Sequence, residues 1–220
     1  MTEMNPKQYH AYAMNQLARV PGIAPGMKGR DIKQVAVIGA GLMGSGIAVC
    51  FLRAGIPTIL VDQTEEALEN GRKSIAKALN SGVKRGMLTP DQAEGVQLLV
   101  STTLDYGDLK DADLIIEAVF ERMDIKQAIF KRLGEVAKQD ALLATNTSGL
   151  DVDQIAAASG RPANVVGLHF FSPAHVMPLL EIVRGKETSP EALKTALYVS
   201  TITYKTGVVV GNLSLIHISE

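Results

Sequence analysis

A chain of 220 residues can bury a substantial core, and 46% hydrophobic with 20% charged residues is an ordinary balance for a globular protein. A formal net charge of −1, with 22 basic residues scattered along the chain, gives no electrostatic case for binding nucleic acid. No apolar run approaches the roughly 18 residues of a membrane span. The first residues lack the apolar stretch of a secretory signal. The lone Cys50 excludes an internal disulfide, and four separated histidines show no metal-ligand spacing. A cytoplasmic protein without a metal is expected.

Residues 1–20 read as a short helix, and VPGIAPGMKGRD supplies Pro and Gly in linker density, so residues 1–30 are expected to precede a domain at 31–212. KQVAVIG is then a buried strand, Leu42 to Ala54 a helix, and IPTILVD a second strand. Thr64 to about Arg85 reads as a long helix opened by Glu65 and Glu66. TPDQAEGVQ is another short helix, so the two form a hairpin inserted after the second strand. LLVSTT and DLIIEAV are strands, and DIKQAIFKRLGEVA is a helix with Asp124 and Gln127 placed as a capping box. ALLATNT is a strand, and Asp151 with Gln154 repeats the capping pattern before a further helix. NVVGLHFF, LLEIV and GVVVG complete the strands. Continuous apolar strands alternating with helices predict an α/β fold around a mainly parallel sheet covered on both faces.

VIGAGLMGSGIA places Gly39-x-Gly41-x-x-Gly44 directly after a strand and at the opening of a helix. The first glycine allows a tight turn, the second lets backbone approach a pyrophosphate, and the third lets helix and strand pack closely. The helix N-terminus then offers unpaired N–H groups and a positive dipole end to the phosphates. Asp62 ends the second strand, 18 residues after Gly44, where a carboxylate can accept hydrogen bonds from ribose hydroxyls and repel a 2'-phosphate. This combination predicts a Rossmann-type doubly wound domain that prefers NAD to NADP.

VGLHFFSPAHVMPLLEIV places His169 and Glu181 in two apolar strands. If those strands pair antiparallel about His175, the two residues are directly opposed, with Cβ atoms roughly 4.5–5.5 Å apart. A carboxylate there fixes the imidazole tautomer and favours the imidazolium, as suits a base that takes an alcohol proton.

GAGLMGSGIA, EAVFERMDIK, ATNTSGLDV, GLHFFSPAHVMPLLEIV and KTGVVVGN together resemble the L-3-hydroxyacyl-CoA dehydrogenase family, in its order and spacing across residues 33–212. HFFSPAHVMPLLE and VVVGN look most like its bifunctional members, in which an enoyl-CoA hydratase precedes the dehydrogenase. The resemblance implies NAD-dependent oxidation of an (S)-3-hydroxyacyl-CoA to the 3-ketoacyl-CoA in fatty-acid β-oxidation. His169 matches the general base, Glu181 its orienting carboxylate, and Ser148 a serine touching both substrate oxygen and nicotinamide. Leu42, Met43, Val119, Glu121, Lys126, Asn146 and Ser172 match positions around the cofactor. Spacing alone makes Glu121 and Lys126 a solvated helix start, and Ser172 stands where many relatives have asparagine. Partners implied are an acyl-CoA substrate, an upstream hydratase domain and an oligomeric assembly. The resemblance stops at Asn212, where family members continue into a helical domain that closes the substrate cleft. LSLIHISE (213–220) resembles a translated sequencing adapter and is expected to be a non-native tail on a truncated chain. Other β-hydroxyacid dehydrogenases and non-catalytic NAD-binding proteins share the glycine motif, so they remain alternatives at this stage.

Overall fold

A computed structural model describes residues 20–212. All but the last residue of the expected N-terminal helix, and the whole 213–220 tail, lie outside the described residues. The chain runs β1 (Val35–Ile38), α1 (Leu42–Arg53), β2 (Thr58–Val61), α2 (Glu65–Lys84), α3 (Pro90–Gln97), β3 (Val100–Thr103), β4 (Leu114–Glu117), α4 (Met123–Val136), β5 (Leu142–Thr145), α5 (Val152–Ala158), β6 (Val165–Phe170), β7 (Leu179–Arg184), α6 (Pro190–Ile202) and β8 (Thr206–Gly211). The strands form one sheet in the order β3-β2-β1-β4-β5-β6-β7-β8. Among the described residues only the β6–β7 pair is antiparallel. The order reverses between β1 and β4, which opens a crevice at the carboxyl ends of those strands, the usual place for a ligand in such a sheet.

β1, β2, β4 and β5 are buried at every position because helices cover both faces. Val35 and Val37 point into a cluster with Ile47, Phe51, Leu60, Leu68 and Val199. Ala36 and Ile38 point the other way, onto Ile115, Phe130, Leu133 and Ile155. The period of two along a strand divides the apolar residues between these layers. α2 buries Leu68, Gly71, Ile75 and Leu79 along one stripe, and the hydroxyl of Thr64 caps it by accepting from the Ala67 N–H at 3.1 Å. α2 and α3 make the inserted hairpin, consistent with the predicted fold.

The differences from sequence are local. The capping box expected at Asp124 and Gln127 is absent. The helix begins one residue earlier, at Met123, and the Asp124 carboxylate accepts from the Arg122 guanidinium instead. Asp151 does cap α5, accepting from the Asp153 N–H at 2.9 Å, but the Gln154 amide donates to its carboxylate instead of accepting from its backbone N–H. The full capping box lies at Thr89 and Gln92. Leu98, read as strand, caps the end of α3 and is 82% exposed. α6 was not anticipated, because its buried face is Ala192, Leu193, Thr195, Ala196, Val199 and Ser200, too small and polar to give a clear apolar stripe. Its start signal, Ser189 capping with Pro190 at the first helical position, was present. The Pro/Gly connector has neither helix nor strand, yet it is fastened down. Arg30 donates to Asp140 O at 2.7 Å and to Asn164 Oδ1 at 2.8 Å, and its N–H donates to Thr195 Oγ1 at 3.0 Å.

Candidate active site

The glycine turn joins β1 to α1. Gly39 has φ +105°, and a Cβ there would lie 2.7 Å from the Ala118 carbonyl oxygen on β4's extension. At Gly44 a Cβ would lie 1.7 Å from the Gly39 carbonyl oxygen. Gly41 is different: its φ of −71° suits any residue, and a Cβ there would meet nothing within 4 Å. The first and third glycines are demanded by the fold, whereas the second leaves open a space that only an incoming group would use. No side chain caps α1, so its first-turn N–H groups face that space uncapped. Asp62 Oδ2 accepts from the Ala40 N–H at 2.6 Å and Oδ1 from the Gln63 N–H at 2.7 Å, which fixes the carboxylate beside the turn. Leu42 is 75% exposed on the rim, and Met43 is half-buried against the core. These residues fit a dinucleotide.

A charged network occupies the ends of β4 and β5. Glu117 is fully buried and accepts from Lys126 Nζ at 2.7 Å, the Thr145 hydroxyl at 2.7 Å and the Val119 N–H at 2.8 Å. Lys126 is 1% exposed, and its ammonium also lies 3.3 Å from Glu121 Oε2. Glu121 Oε1 gathers the Thr147 hydroxyl at 2.6 Å, the Ser148 N–H at 2.8 Å and hydroxyl at 3.1 Å, and the Gly149 N–H at 3.2 Å. Spacing had suggested a solvated helix start. The buried Glu117 overturns that for Lys126, because a carboxylate sealed in the sheet requires a cation beside it. Glu117 itself was missed, although an acid ending the apolar run DLIIE was a signal.

Burial alone would raise the Glu121 pKa, but the hydrogen bonds from Thr147 and Ser148 and the Lys126 charge outweigh it and hold the carboxyl below its usual range. A depressed carboxylate stabilises the fold fully above its unfolded pKa, and that contribution is lost as pH falls through the folded value. Protection of the Ser148 and Gly149 amides against hydrogen exchange should therefore stay constant at neutral pH and weaken only below the ordinary glutamate range. Glu121→Gln should abolish that dependence, and identical pH profiles in the two proteins would count against the network.

His169 and Glu181 are directly opposed across the antiparallel β6–β7 pair, as the symmetry about His175 predicted. His169 Nδ1 lies 2.9 Å from Glu181 Oε2, with the side chains 15% and 16% exposed. An ionised carboxylate can only accept, so Nδ1 is the donor, and in the neutral ring this leaves Nε2 with the lone pair. The Phe171 ring tilts against the imidazole at 4.5 Å. Asn146 links the neighbouring strand end to this one, its Oδ1 accepting from the Phe170 N–H at 2.8 Å. Ser148 is exposed after β5, and Ser172 is exposed on the loop after β6. The half-buried Val119 and the exposed Phe120 follow β4. The glycine turn, the Glu121–Ser148 cluster and the His169–Glu181 pair thus leave the carboxyl ends of β1, β4, β5 and β6, on one edge of the sheet.

The model of the family described as 3-hydroxyacyl-CoA dehydrogenase, NAD binding domain, matches residues 34–213. The chain is 44% identical over 205 residues to a peroxisomal fatty acid beta-oxidation multifunctional protein from Oryza sativa subsp. japonica, covering 92% of this chain and 28% of the relative. It is 40% identical over 200 residues to the fatty acid oxidation complex subunit alpha of Shewanella frigidimarina, covering 90% of this chain and 28% of that one. The chain therefore spans little more than a quarter of the length of these relatives. Among solved structures, 3-hydroxybutyryl-CoA dehydrogenase from Escherichia coli K12 superposes with a TM-score of 0.81 at 39% identity, over 83% of this chain and 39% of that one. The dehydrogenase part of multifunctional enzyme 1 from C. elegans gives a TM-score of 0.77 at 33% identity, over 93% and 49%.

Proposed function

The chain belongs to the 3-hydroxyacyl-CoA dehydrogenase family, whose NAD-binding domain it contains, and from that premise we propose that it carries the redox half of an enzyme converting (S)-3-hydroxyacyl-CoA to 3-ketoacyl-CoA in fatty-acid β-oxidation. The observation that carries this reading is the His169–Glu181 pair, at 2.9 Å, on the edge of the sheet that holds the glycine turn. Bound NAD supplies the hydride acceptor. The first turn of α1 holds its pyrophosphate, and Asp62 receives the ribose hydroxyls. Leu42, Met43, Val119, Glu121, Lys126, Asn146 and Ser172 are our further candidates around it. His169 Nε2 takes the proton of the substrate hydroxyl, Glu181 holds the ring in the required tautomer, and the Ser148 hydroxyl positions the reacting oxygen.

The relatives extend well beyond the matched segment, and we assign to that additional length the second wall of the acyl-CoA cleft and any hydratase unit. Residues 1–30 are read as the connector to such a unit, residues 31–212 as the NAD-binding domain, and residues 213–220 as foreign to it. No helix among the described residues is long and apolar enough to cross a membrane. The buried, unpaired Cys50 suits a reducing compartment such as the cytoplasm.

Calorimetric titration of residues 1–220 should give tighter binding of NAD than of NADP, with Asp62→Ala narrowing the difference. Acetoacetyl-CoA should be reduced by NADH in a protein of the relatives' length. Equal cofactor affinities would defeat the Asp62 assignment. NAD binding without turnover in the longer protein would favour a non-catalytic role.

A further inference from the structure

The loop from Phe171 to Pro178 joins the strand carrying His169 to the strand carrying Glu181, and it bears Ser172. It turns on itself through the Val176 and Met177 N–H groups, which both donate to the Pro173 carbonyl, at 2.9 and 3.0 Å. Its inner side is seated on α1: Ala174 is 1% exposed, and a Cβ at Gly46 would lie 3.2 Å from the Ala174 methyl. The outer side is met by a group from elsewhere in the chain. Lys205, between α6 and β8, places Nζ 2.7 Å from the Ala174 carbonyl oxygen and 2.7 Å from the Met177 carbonyl oxygen. The same ammonium lies 5.6 Å from the centre of the Phe170 ring, next in sequence to His169.

The approach of Lys205 is itself built. Tyr204 adopts φ +57°, an uncommon conformation for a residue with a side chain. The Lys205 N–H donates to the Ser200 carbonyl at 2.8 Å, and the Thr206 N–H donates to the Pro178 carbonyl at 2.8 Å. Among the described residues no carboxylate pairs with Lys205. Burial is the main reason its pKa sits below the ordinary lysine value. A half-buried ammonium with only carbonyl partners and one ring face is a costly arrangement, and both of its hydrogen bonds go to a single loop.

We propose that Lys205 is a positioning residue, a latch whose ammonium clips the 171–178 loop by two carbonyls and so sets Ser172 at the nicotinamide side of the cleft and the His169–Glu181 pair at its base. The proposal rests on the reading of this edge as an NAD-dependent dehydrogenase site. Lys205 acts through the loop, by way of the Ala174 and Met177 carbonyls.

The nicotinamide half of the cofactor should therefore depend on Lys205, whereas the adenosine half, held by the glycine turn and Asp62, should not. In residues 1–220, Lys205→Met should weaken NAD binding about tenfold, the scale of one lost charge-assisted hydrogen bond, and leave ADP-ribose affinity unchanged. Lys205→Arg, which keeps the charge and the donors, should recover most of the NAD affinity. Amide hydrogen exchange gives a reading that needs no cofactor: protection of Val176 and Met177 should fall about tenfold in Lys205→Met, with α1 amides unaffected. Unchanged exchange at those two amides would overturn the latch, as would equal losses of NAD and ADP-ribose affinity. An unmodified chain that bound neither ligand would instead overturn the functional reading, while the exchange experiment would still decide the latch.

Discussion

Replacing His169 by alanine in a protein of the relatives' length is expected to lower turnover by roughly 10²–10⁴-fold, the usual contribution of a positioned acid–base group, with NAD affinity almost unchanged. The separation follows from placement. On the proposed reading the cofactor would be held at the β1–α1 turn and beside Asp62, whereas the imidazole sits on β6, its Nδ1 2.9 Å from Glu181. Removing the ring would then take away the proposed proton acceptor and leave the proposed cofactor contacts in place. Glu181→Gln is the subtler counterpart. The amide keeps the shape but can donate as well as accept, so it no longer dictates that Nδ1 carries the proton. Turnover should fall, though less than in His169→Ala, while NAD affinity stays close to that of the parent. A His169→Ala protein with near-normal turnover would end the assignment, and unchanged turnover in Glu181→Gln would end the pairing.

The fold was largely legible because its strands are apolar without interruption and its turn residues have little freedom. Gly39, Gly44 and Asp62 could be placed from spacing, since a strand–turn–helix leaves few positions for them. The opposition of His169 and Glu181 was legible for the same reason: an antiparallel hairpin fixes pairs symmetric about its centre. Side-chain partners reached across the sheet were not legible. Glu117 meets Lys126 from a helix and Thr145 from the next strand, a convergence that no local pattern encodes. Lys205 lies 28 residues from Met177 and 31 from Ala174, the carbonyls it engages. The missed helix α6 failed for another reason: with Thr195 and Ser200 on its buried face, apolar periodicity understates its burial.

The glycine turn offers the clearest separation of folding from binding, through two substitutions of the same size three residues apart. In Gly44→Ala the new methyl would stand 1.7 Å from the Gly39 carbonyl oxygen, a backbone atom that cannot swing aside. The turn must open or the helix must retreat, so stability should drop by more than about 4 kcal/mol, in the range reserved for severe steric conflict, and NAD binding should be lost with it. In Gly41→Ala the methyl meets no protein atom within 4 Å, and φ −71° imposes no strain on an alanine. The melting temperature should therefore stay within about 2 °C of the parent, a shift of less than 1 kcal/mol for a domain of this size. NAD affinity should nevertheless fall by roughly ten- to a hundredfold, the cost of about one hydrogen bond to a charged group, because on the proposed reading the methyl stands where backbone must approach the pyrophosphate. ADP-ribose should weaken in parallel, since it carries the same pyrophosphate, which distinguishes this effect from loosening of the nicotinamide side. Thermal denaturation and calorimetry on the two variants decide the matter. A Gly41→Ala protein that binds NAD normally would remove the glycine turn from the cofactor site, whatever Gly44→Ala does to the fold.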